Sequence, residues 1–312
     1  MFKKIFLFLI LLVILVFIIL NKERSSSPYK DYFSVQDTSS ISKVFFADRT
    51  GKTISLERSK NYWILNNQFV AKQTMINILL ATIKDVQVKR TLPEKSIKNV
   101  IRDMATTGVK VEIYSDEKLL KTYTIGSPTL DYLGNYMLLD GASEPYIVHI
   151  PYLNGFLTPR YGIPVNTLYI DSWRSTKLLT NNNIFSIKFN NIKNPNASFS
   201  INKDSLKLFD YKGNVVQGNK KKIVKYIDYW YDLHCEAFKK NDDKINQSLQ
   251  LYEIVINNDT LRIYEMIDID KKMKKDNFNV ARMYANINNQ QLMLIQNYVF
   301  NKVLINIEEL KN

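Results

Sequence analysis

The chain has 312 residues, of which 46% are hydrophobic, and carries a formal net charge of +13, with one cysteine and two histidines. A single cysteine excludes an internal disulfide, and two histidines without a cysteine cluster exclude a zinc site made of nitrogen and sulfur ligands alone. Because the basic excess is spread over both halves of the chain instead of concentrated in one segment, we predict no nucleic-acid partner.

The N-terminus contains a membrane-type segment. Ile5 to Leu20 are sixteen apolar residues in a row, with Lys3 and Lys4 before them and Lys22 after them. A helix of this length covers about 24 Å, which approaches the thickness of a bilayer core. The serines that follow do not form a small-residue cleavage site, so we predict an uncleaved anchor, and a cleaved signal peptide is the alternative. The basic residues before the segment predict a single-pass protein of the bacterial inner membrane with its body in the periplasm.

The composition predicts five segments along the chain. Residues 1–24 form the membrane anchor, and residues 25–40 form a polar tether that contains Ser-Ser-Ser-Pro. Residues 41–165 and 183–310 form two modules, because the remaining chain is longer than one hydrophobic core usually serves. Residues 166–182 form a linker, because Pro164, Asn166 and Asp171 interrupt the apolar pattern around this boundary.

The first module is predicted to mix strands and helices. Alternating runs at Lys43–Asp48 and Thr53–Arg58 enclose a short turn and predict a hairpin. Apolar residues at helical spacing predict a helix through Ile76–Ile83, and Thr91 with Glu94 three residues later predicts the start of a second helix. Further strands are predicted at Tyr62–Leu65, Lys110–Tyr114, Leu119–Thr124, Asn135–Leu139 and Tyr146–Ile150.

The second module is predicted to repeat this order. A helix is expected over Lys221–Phe238, and Tyr136–Ile150 resembles Tyr284–Ile295 at an offset of about 147 residues, which predicts an internal repeat. The strands are expected at Phe185–Phe189, Ser198–Asn202, Leu206–Phe209, Leu251–Ile256 and Thr260–Met266. The predicted fold class is therefore α+β, with an N-terminal transmembrane helix followed by two similar modules of antiparallel sheet with packed helices.

A search for catalytic patterns finds none that is complete. His149 lies in a predicted strand and is interpreted as structural. His234 and Cys235 are neighbours on a predicted helix, about 100° apart, so they cannot face each other as base and nucleophile. The glycine patterns of nucleotide-binding loops and of lipase-type nucleophile turns do not occur. We predict no cofactor and no metal site.

Three carboxylates leave an alternative function open. Asp131, Asp140 and Glu144 fall in one loop-rich region, and two carboxylates at the separation used by glycosidases could act as acid and base. This pattern favours a cell-envelope glycan-binding protein or glycan-acting enzyme as the alternative. The competing interpretation of Asp140 with its following glycine is hairpin turn chemistry.

Two arginine-aromatic pairs are the most distinctive candidates for contact with a ligand or partner. Arg160 and Tyr161 form the first pair, and Trp173 and Arg174 form the second. Such side chains can together stack on a sugar or clamp an anion. The alternative is that the tyrosine and tryptophan pack between modules while the arginines pair with Asp171 or with backbone carbonyls.

Several spaced motifs within residues 40–180 resemble a known family. They are Ile41-x-x-Val44, Trp63, Gly126-x-Pro128-Thr129-x-Asp131-x-x-Gly134-Asn135-Tyr136-Met137, Pro151, Gly155, Leu157-Thr158-Pro159-Arg160-Tyr161 and Trp173-Arg174. In these motifs the chain resembles the bacterial domain-of-unknown-function family forty-three-forty. The resemblance implies a membrane-anchored, extracytoplasmic protein. The genes of some family members lie near genes for gliding-type ABC transport components. It implies no catalytic residue.

Together, these features predict a membrane-anchored extracytoplasmic binding or scaffold protein, not an enzyme. One expected partner is the inner membrane, through residues 5–20. The other is an envelope or transporter protein, in the class of an ABC-type export or gliding-associated assembly. The glycan-directed function is the alternative.

Overall fold

The computed structural model describes residues 29, 31–164, 166–179, 183–239, 249–266 and 282–311. The chain divides between Ser175 and Thr176 into two units. Each unit is built on one antiparallel sheet of nine strands with few helices, which confirms the predicted α+β class. Among the described residues no helix is both long and apolar enough to span a bilayer, and the predicted anchor at residues 5–20 lies outside them.

The first unit contains strands β1 to β9 and two α-helices. The sheet order is β4-β3-β2-β1-β6-β7-β8-β9-β5. The strands are β1 Lys43–Ala47, β2 Thr53–Arg58, β3 Trp63–Leu65, β4 Phe69–Val70, β5 Gln87–Thr91, β6 Val109–Ser115, β7 Lys118–Pro128, β8 Asn135–Leu139 and β9 Tyr146–His149. The helices are α1 Gln73–Asp85 and α2 Glu94–Thr107, followed by 3-10 helices at Thr158–Tyr161 and Ile170–Ser172.

The second unit contains strands β10 to β18. The sheet order is β13-β12-β11-β10-β15-β16-β17-β18-β14. The strands are β10 Ser186–Asn191, β11 Phe199–Asn202, β12 Lys207–Asp210, β13 Val215–Val216, β14 Ala237–Phe238, β15 Gln250–Ile256, β16 Asp259–Glu265, β17 Arg282–Ile287 and β18 Leu292–Gln296. The helices are α3 Lys220–Tyr231 and the short α4 Asn297–Phe300, with 3-10 helices at Pro195–Ala197 and Ile307–Leu310.

The two sheets have the same strand order, and their central strands β1 and β10 pair with the corresponding neighbours. Val44 on β1 pairs with residues of β2 and β6, and Ile187 on β10 pairs in the same way with residues of β11 and β15. The helix that follows the fourth strand also begins alike in both units. The residue before the helix donates a backbone hydrogen bond, from Lys72 to the Trp173 carbonyl in one unit and from Asn219 to the Leu310 carbonyl in the other. This shared topology confirms the predicted internal repeat.

The core of the first unit lies between the sheet and α1. Ile76, Leu79 and Ile83 project from α1 at three- and four-residue spacing and are buried, as their periodicity predicts. Helix α2 buries Met104, whose side chain lies against Gly126 of β7. A side chain at position 126 would overlap that methionine, so this glycine is what lets α2 approach the sheet.

Several aromatic and apolar residues of the predicted tether are packed on the first unit. Phe33 is buried, and its ring lies 6.1 Å from that of Tyr146 on β9. The Tyr29 and Tyr32 rings lie 5.5 and 5.7 Å from the same ring, and the backbone N–H of Val35 donates to a carbonyl of α1. The tether prediction was wrong for these residues because their aromatic side chains outweigh the polar composition around them.

The described part of the predicted linker, 166–182, is also not an exposed connection. Leu168 and Trp173 are buried in the core of the first unit, whereas Leu178 and Leu179 belong to the core of the second. Asp171, one of the interrupting residues, lies in the short 3-10 helix Ile170–Ser172 between the buried Leu168 and Trp173. The connection between the units is therefore confined to a few residues around position 175.

Helix α3 ends earlier than its pattern predicted. The helix stops at Tyr231, and Ala237–Phe238 forms the edge strand β14 beside β18. His234 and Cys235 lie on the extended stretch between them, where the cysteine is buried and the histidine is exposed. Consecutive residues of an extended chain point to opposite sides, so these two side chains remain unsuited to act as a pair.

Candidate functional site

The most distinctive surface feature of the first unit is the loop Thr129–Gly134, which joins β7 to β8 and is here called the apolar loop. The backbone N–H of Thr129 donates to the carbonyl of Gly134 at 2.9 Å, and the N–H of Tyr132 donates to the carbonyl of Thr129 at 2.9 Å. These bonds close the loop on itself. The backbone of the loop therefore contributes directly to its conformation.

The carboxylate of Asp131 stabilises the apolar loop from inside. It accepts hydrogen bonds from the Thr129 hydroxyl at 2.5 Å and from the Leu133 backbone N–H at 3.0 Å. The hydroxyl bond is the main reason why the pKa of Asp131 lies below its ordinary value. The Lys89 ammonium lies 4.0 Å from the carboxylate. Asp131 is thus a structural residue of the loop.

The base of the loop is attached firmly to the sheet. Asn135, at the start of β8, is fully buried, donates through Nδ2 to the Gly126 carbonyl, and accepts from the Leu157 N–H. A Cβ at Gly134 would collide with the Val148 carbonyl of β9. Only glycine therefore allows the backbone at position 134 to approach β9 this closely.

This rigid loop holds three large apolar side chains in solvent. Leu130 is 97% exposed, Tyr132 is 63% exposed and Leu133 is 39% exposed. The Tyr132 ring lies 5.8 Å from that of Phe156. Tyr132 also has a φ of +55°, a left-handed conformation that costs a residue with a Cβ about 1–2 kcal/mol. Backbone strain together with clustered exposed apolar residues is typical of a contact surface.

The sheet edge beside the loop is protected against strand addition. Strand β5 is the edge strand and pairs with β9, and the pairing shifts between Val88 and Arg90 so that Lys89 forms a bulge. Lys89 and Arg90 are exposed. A bulge and basic side chains both disfavour an added strand. A partner at this edge would therefore be recognised by the side chains of the apolar loop, not by backbone pairing.

Of the predicted contact residues, Arg160 and Tyr161 lie on the 3-10 helix Thr158–Tyr161. The Arg160 Nε donates to the Thr82 hydroxyl on α1 at 2.7 Å. Tyr161 is fully buried, with its hydroxyl 3.0 Å from that of Tyr123, and desolvation raises the pKa of its phenol well above the ordinary value. Arg160 therefore fastens the 3-10 helix to α1, and the tyrosine is a core residue.

The other predicted pair also has a packing role. Trp173 is fully buried, and its ring lies 5.5 Å from that of Phe46. The Arg174 guanidinium lies 3.9 Å from the centre of the Phe69 ring. Contrary to the contact prediction, the buried Trp173 and Tyr161 rings are not available to stack on a ligand. The two rings pack inside the core of the first unit, whereas the packing alternative had placed them between the modules.

Asp131 and Asp140, two of the three candidate carboxylates, do not converge. Asp131 precedes β8 and Asp140 follows it, and the five residues of that strand span about 16 Å. A glycosidase pair requires about 5–10 Å. Glu144 is exposed in the turn that contains Asp140. In the part of the chain that the structure describes, no group of three or more His, Cys, Asp or Glu side chains could hold a metal ion.

Sequence reasoning missed the residues that define this surface. Leu130, Tyr132 and Leu133 occur between Thr129 and Gly134, and the sequence pattern marked only Asp131 in this stretch as a candidate. The signal that could have identified them is that a short turn contains three large apolar residues. Comparison of the chain with protein-family models, with curated proteins and with solved structures found no match.

Proposed function

We propose that this protein is a single-pass, membrane-anchored extracytoplasmic scaffold that binds another envelope protein through the apolar loop. The observation that carries the proposal is the rigid display of Leu130, Tyr132 and Leu133 in solvent. Fully burying a leucine contributes about 1.5–3 kcal/mol. A protein partner with a complementary apolar pocket recovers that free energy, and the loop is already ordered before it binds.

The predicted anchor supports a partner at the membrane surface. The anchor ends at Leu20, and Tyr29 already packs against Tyr32 and Tyr146 of the first unit. The residues between them can extend over at most about 30 Å. The first unit would therefore work next to the bilayer. The family resemblance favours a partner in the class of an ABC-type export or gliding-associated assembly.

The positions of Asp131 and Asp140 do not support the glycan-acting alternative. It needs two carboxylates that face each other, but Asp131 is bound within its own loop and Asp140 lies beyond the opposite end of β8. The described residues therefore favour a contact function over acid-base chemistry.

Substitution of Leu130 by aspartate is expected to reduce recovery of the partner at least about tenfold, because it would place a charge in an apolar contact whose central residues each contribute about 2 kcal/mol or more. The measurement is quantitative mass spectrometry of proteins that co-purify with the tagged full chain from detergent-solubilised membranes. Leu130 makes no core contact, since it is 97% exposed, so folding should be unchanged.

Leu119→Asp is the matched control for this experiment. Leu119 is also an exposed leucine on β7, with 50% of its surface in solvent, and lies near the strand end opposite the apolar loop. This variant should recover the partner like the unmodified chain. Equal loss of the partner in both variants, or recovery of no specific partner by the unmodified chain, would refute the proposed contact.

A further inference from the structure

The outer side of helix α3 in the second unit carries a concentrated positive charge. Ile223, Tyr226, Ile227 and Trp230 are buried, which turns the opposite side of the helix to solvent. Four of its residues are lysines and one is an aspartate, so the helix has a net charge of +3. The lysines are Lys220, Lys221, Lys222 and Lys225, all of them exposed.

The position of three of these lysines opposes the helix dipole. Lys220, Lys221 and Lys222 occupy the first turn, which contains no acidic residue. The backbone N–H groups of Lys221 and Lys222 donate to the Asn219 side chain, so this end already has a neutral cap. Positive charge at a helix N-terminus is destabilising. These lysines therefore do not stabilise the helix, and attraction of an anionic partner explains their position better.

A fifth lysine joins this surface from another element. The Tyr229 ring lies 5.8 Å from the Nζ of Lys225 and 5.4 Å from the Nζ of Lys302, which follows α4. One aromatic ring thus contacts two ammonium groups and holds them on the same side of the unit. We call Lys220, Lys221, Lys222, Lys225 and Lys302 the basic surface.

These charges are not neutralised locally. Within the described ranges, none of the five lysines lies within 4.0 Å of a carboxylate oxygen, although five other basic side chains of the second unit do. The Lys222 ammonium instead donates to the backbone carbonyl of Lys311. The exposed Val224 lies among the lysines on the same side of α3.

We propose that the basic surface binds the phosphate headgroups of an anionic bilayer. Clusters of four or more lysines next to a membrane are attracted to anionic lipids, and the attraction weakens as salt screens it. An apolar residue among the lysines can enter the headgroup region. The proposal rests on the proposed anchoring beside a membrane, but it concerns a different surface from the apolar loop. It would give the second unit its own contact with the bilayer.

The test measures sedimentation of the full chain, held in zwitterionic nanodiscs, with added vesicles that contain about 30% phosphatidylglycerol. The test variant is Lys220→Gln/Lys221→Gln/Lys225→Gln. The control is Lys188→Gln/Lys207→Gln/Lys212→Gln, which removes the same charge from exposed positions elsewhere in the second unit. Thermal unfolding verifies that both variants fold; loss of the α3 lysines should, if anything, stabilise the helix.

We expect the test variant to bind anionic vesicles about 100-fold more weakly than the unmodified chain, at about fivefold per lysine, and the control to lose less than about threefold. Equal losses in the two variants, or equal binding to neutral vesicles, would overturn the proposal. If the lysines bind polyglutamate more strongly than vesicles, the proposal of a lipid ligand would be wrong, and an acidic protein would be the better candidate. Incorporation of the chain into nanodiscs tests the anchor separately. Binding to vesicles is measured whether or not the chain has entered nanodiscs.

Discussion

Substitution of Gly162 by alanine is expected to destabilise the first unit by about 2–5 kcal/mol. Gly162 ends the 3-10 helix Thr158–Tyr161 with a φ of +65°, and a Cβ there would lie 2.5 Å from the indole ring of Trp173. The left-handed conformation alone costs a residue with a Cβ about 1–2 kcal/mol. Overlap with a buried ring adds about 1–3 kcal/mol, because the indole cannot move within a packed core.

Gly141→Ala separates the two contributions. Gly141 also has a positive φ, +76°, but no atom lies within 4 Å of its hypothetical Cβ. This control should lose only about 1–2 kcal/mol. Urea unfolding followed by tryptophan fluorescence would measure both variants. Equal destabilisation would show that the packing of Trp173 against Gly162 contributes nothing.

Replacement of Asp48 by asparagine is expected to cost the first unit about 2–4 kcal/mol. Asp48 is buried and joins two distant parts of the chain through one carboxylate. Oδ1 accepts from the N–H groups of Thr50 and Lys52, whereas Oδ2 accepts from the Thr167 hydroxyl at 2.8 Å and the Leu168 N–H at 3.0 Å. An asparagine amide can accept at one side only, so either pair of donors loses its acceptor.

The same carboxylate makes stability depend on pH. Desolvation raises the pKa of Asp48, but the hydrogen bonds from Leu168, Thr50, Thr167 and Lys52 together hold it well below its ordinary value of 3.8. A lowered pKa stabilises the fold at a pH above the ordinary value and loses this effect as the pH falls through the folded pKa. The unmodified chain should therefore lose stability below about pH 4 more steeply than Asp48→Asn.

Asp140→Asn is the control for both parts of this prediction. Asp140 is exposed in the β8–β9 turn, so its replacement should change the free energy of unfolding by less than about 0.5 kcal/mol. The acid dependence should remain like that of the unmodified chain. A parallel pH dependence in Asp48→Asn and the unmodified chain would contradict the role assigned to the buried carboxylate.

Sequence patterns predicted those strands that pair with a neighbour in the chain. The hairpin of β1 and β2 was predicted from the alternation in Lys43–Asp48 and Thr53–Arg58, and it is confirmed with Lys43 opposite Glu57. The internal repeat was visible because the last strands of both units keep the same order of apolar residues. Short-range periodicity carries this information because these strands pair with a neighbour in sequence, as β1 does with β2 and β8 with β9.

Edge strands could not be predicted in the same way. Gln87–Thr91 is polar and lacks alternation, and it forms β5 because it pairs with β9, more than fifty residues away. That pairing includes Thr91 opposite Tyr146, so the predicted helix start moves to Glu94 with Pro93 as its cap. Strand β14 shortens α3 for the same reason. Tertiary pairing outweighs local propensity in such segments.

The candidate site was predictable only in its location. Asp131 was placed in a loop-rich region, but apolar residues in a short turn give no sign of whether they are exposed or buried. Conversely, Tyr161 and Trp173 combined with arginines looked like a binding surface. Their burial depends on Phe46 and Tyr123, which are distant in sequence.

The location of the apolar loop is the central claim, and thiol labelling of Leu130→Cys in the full chain tests it most directly. The only native cysteine, Cys235, is buried, so a membrane-impermeant maleimide should react at position 130. We predict labelling in intact spheroplasts and retention of the labelled chain in carbonate-washed membranes. Labelling that requires permeabilised cells, or release of the labelled chain into the soluble fraction, would contradict an anchored protein that presents this loop outside the cytoplasm.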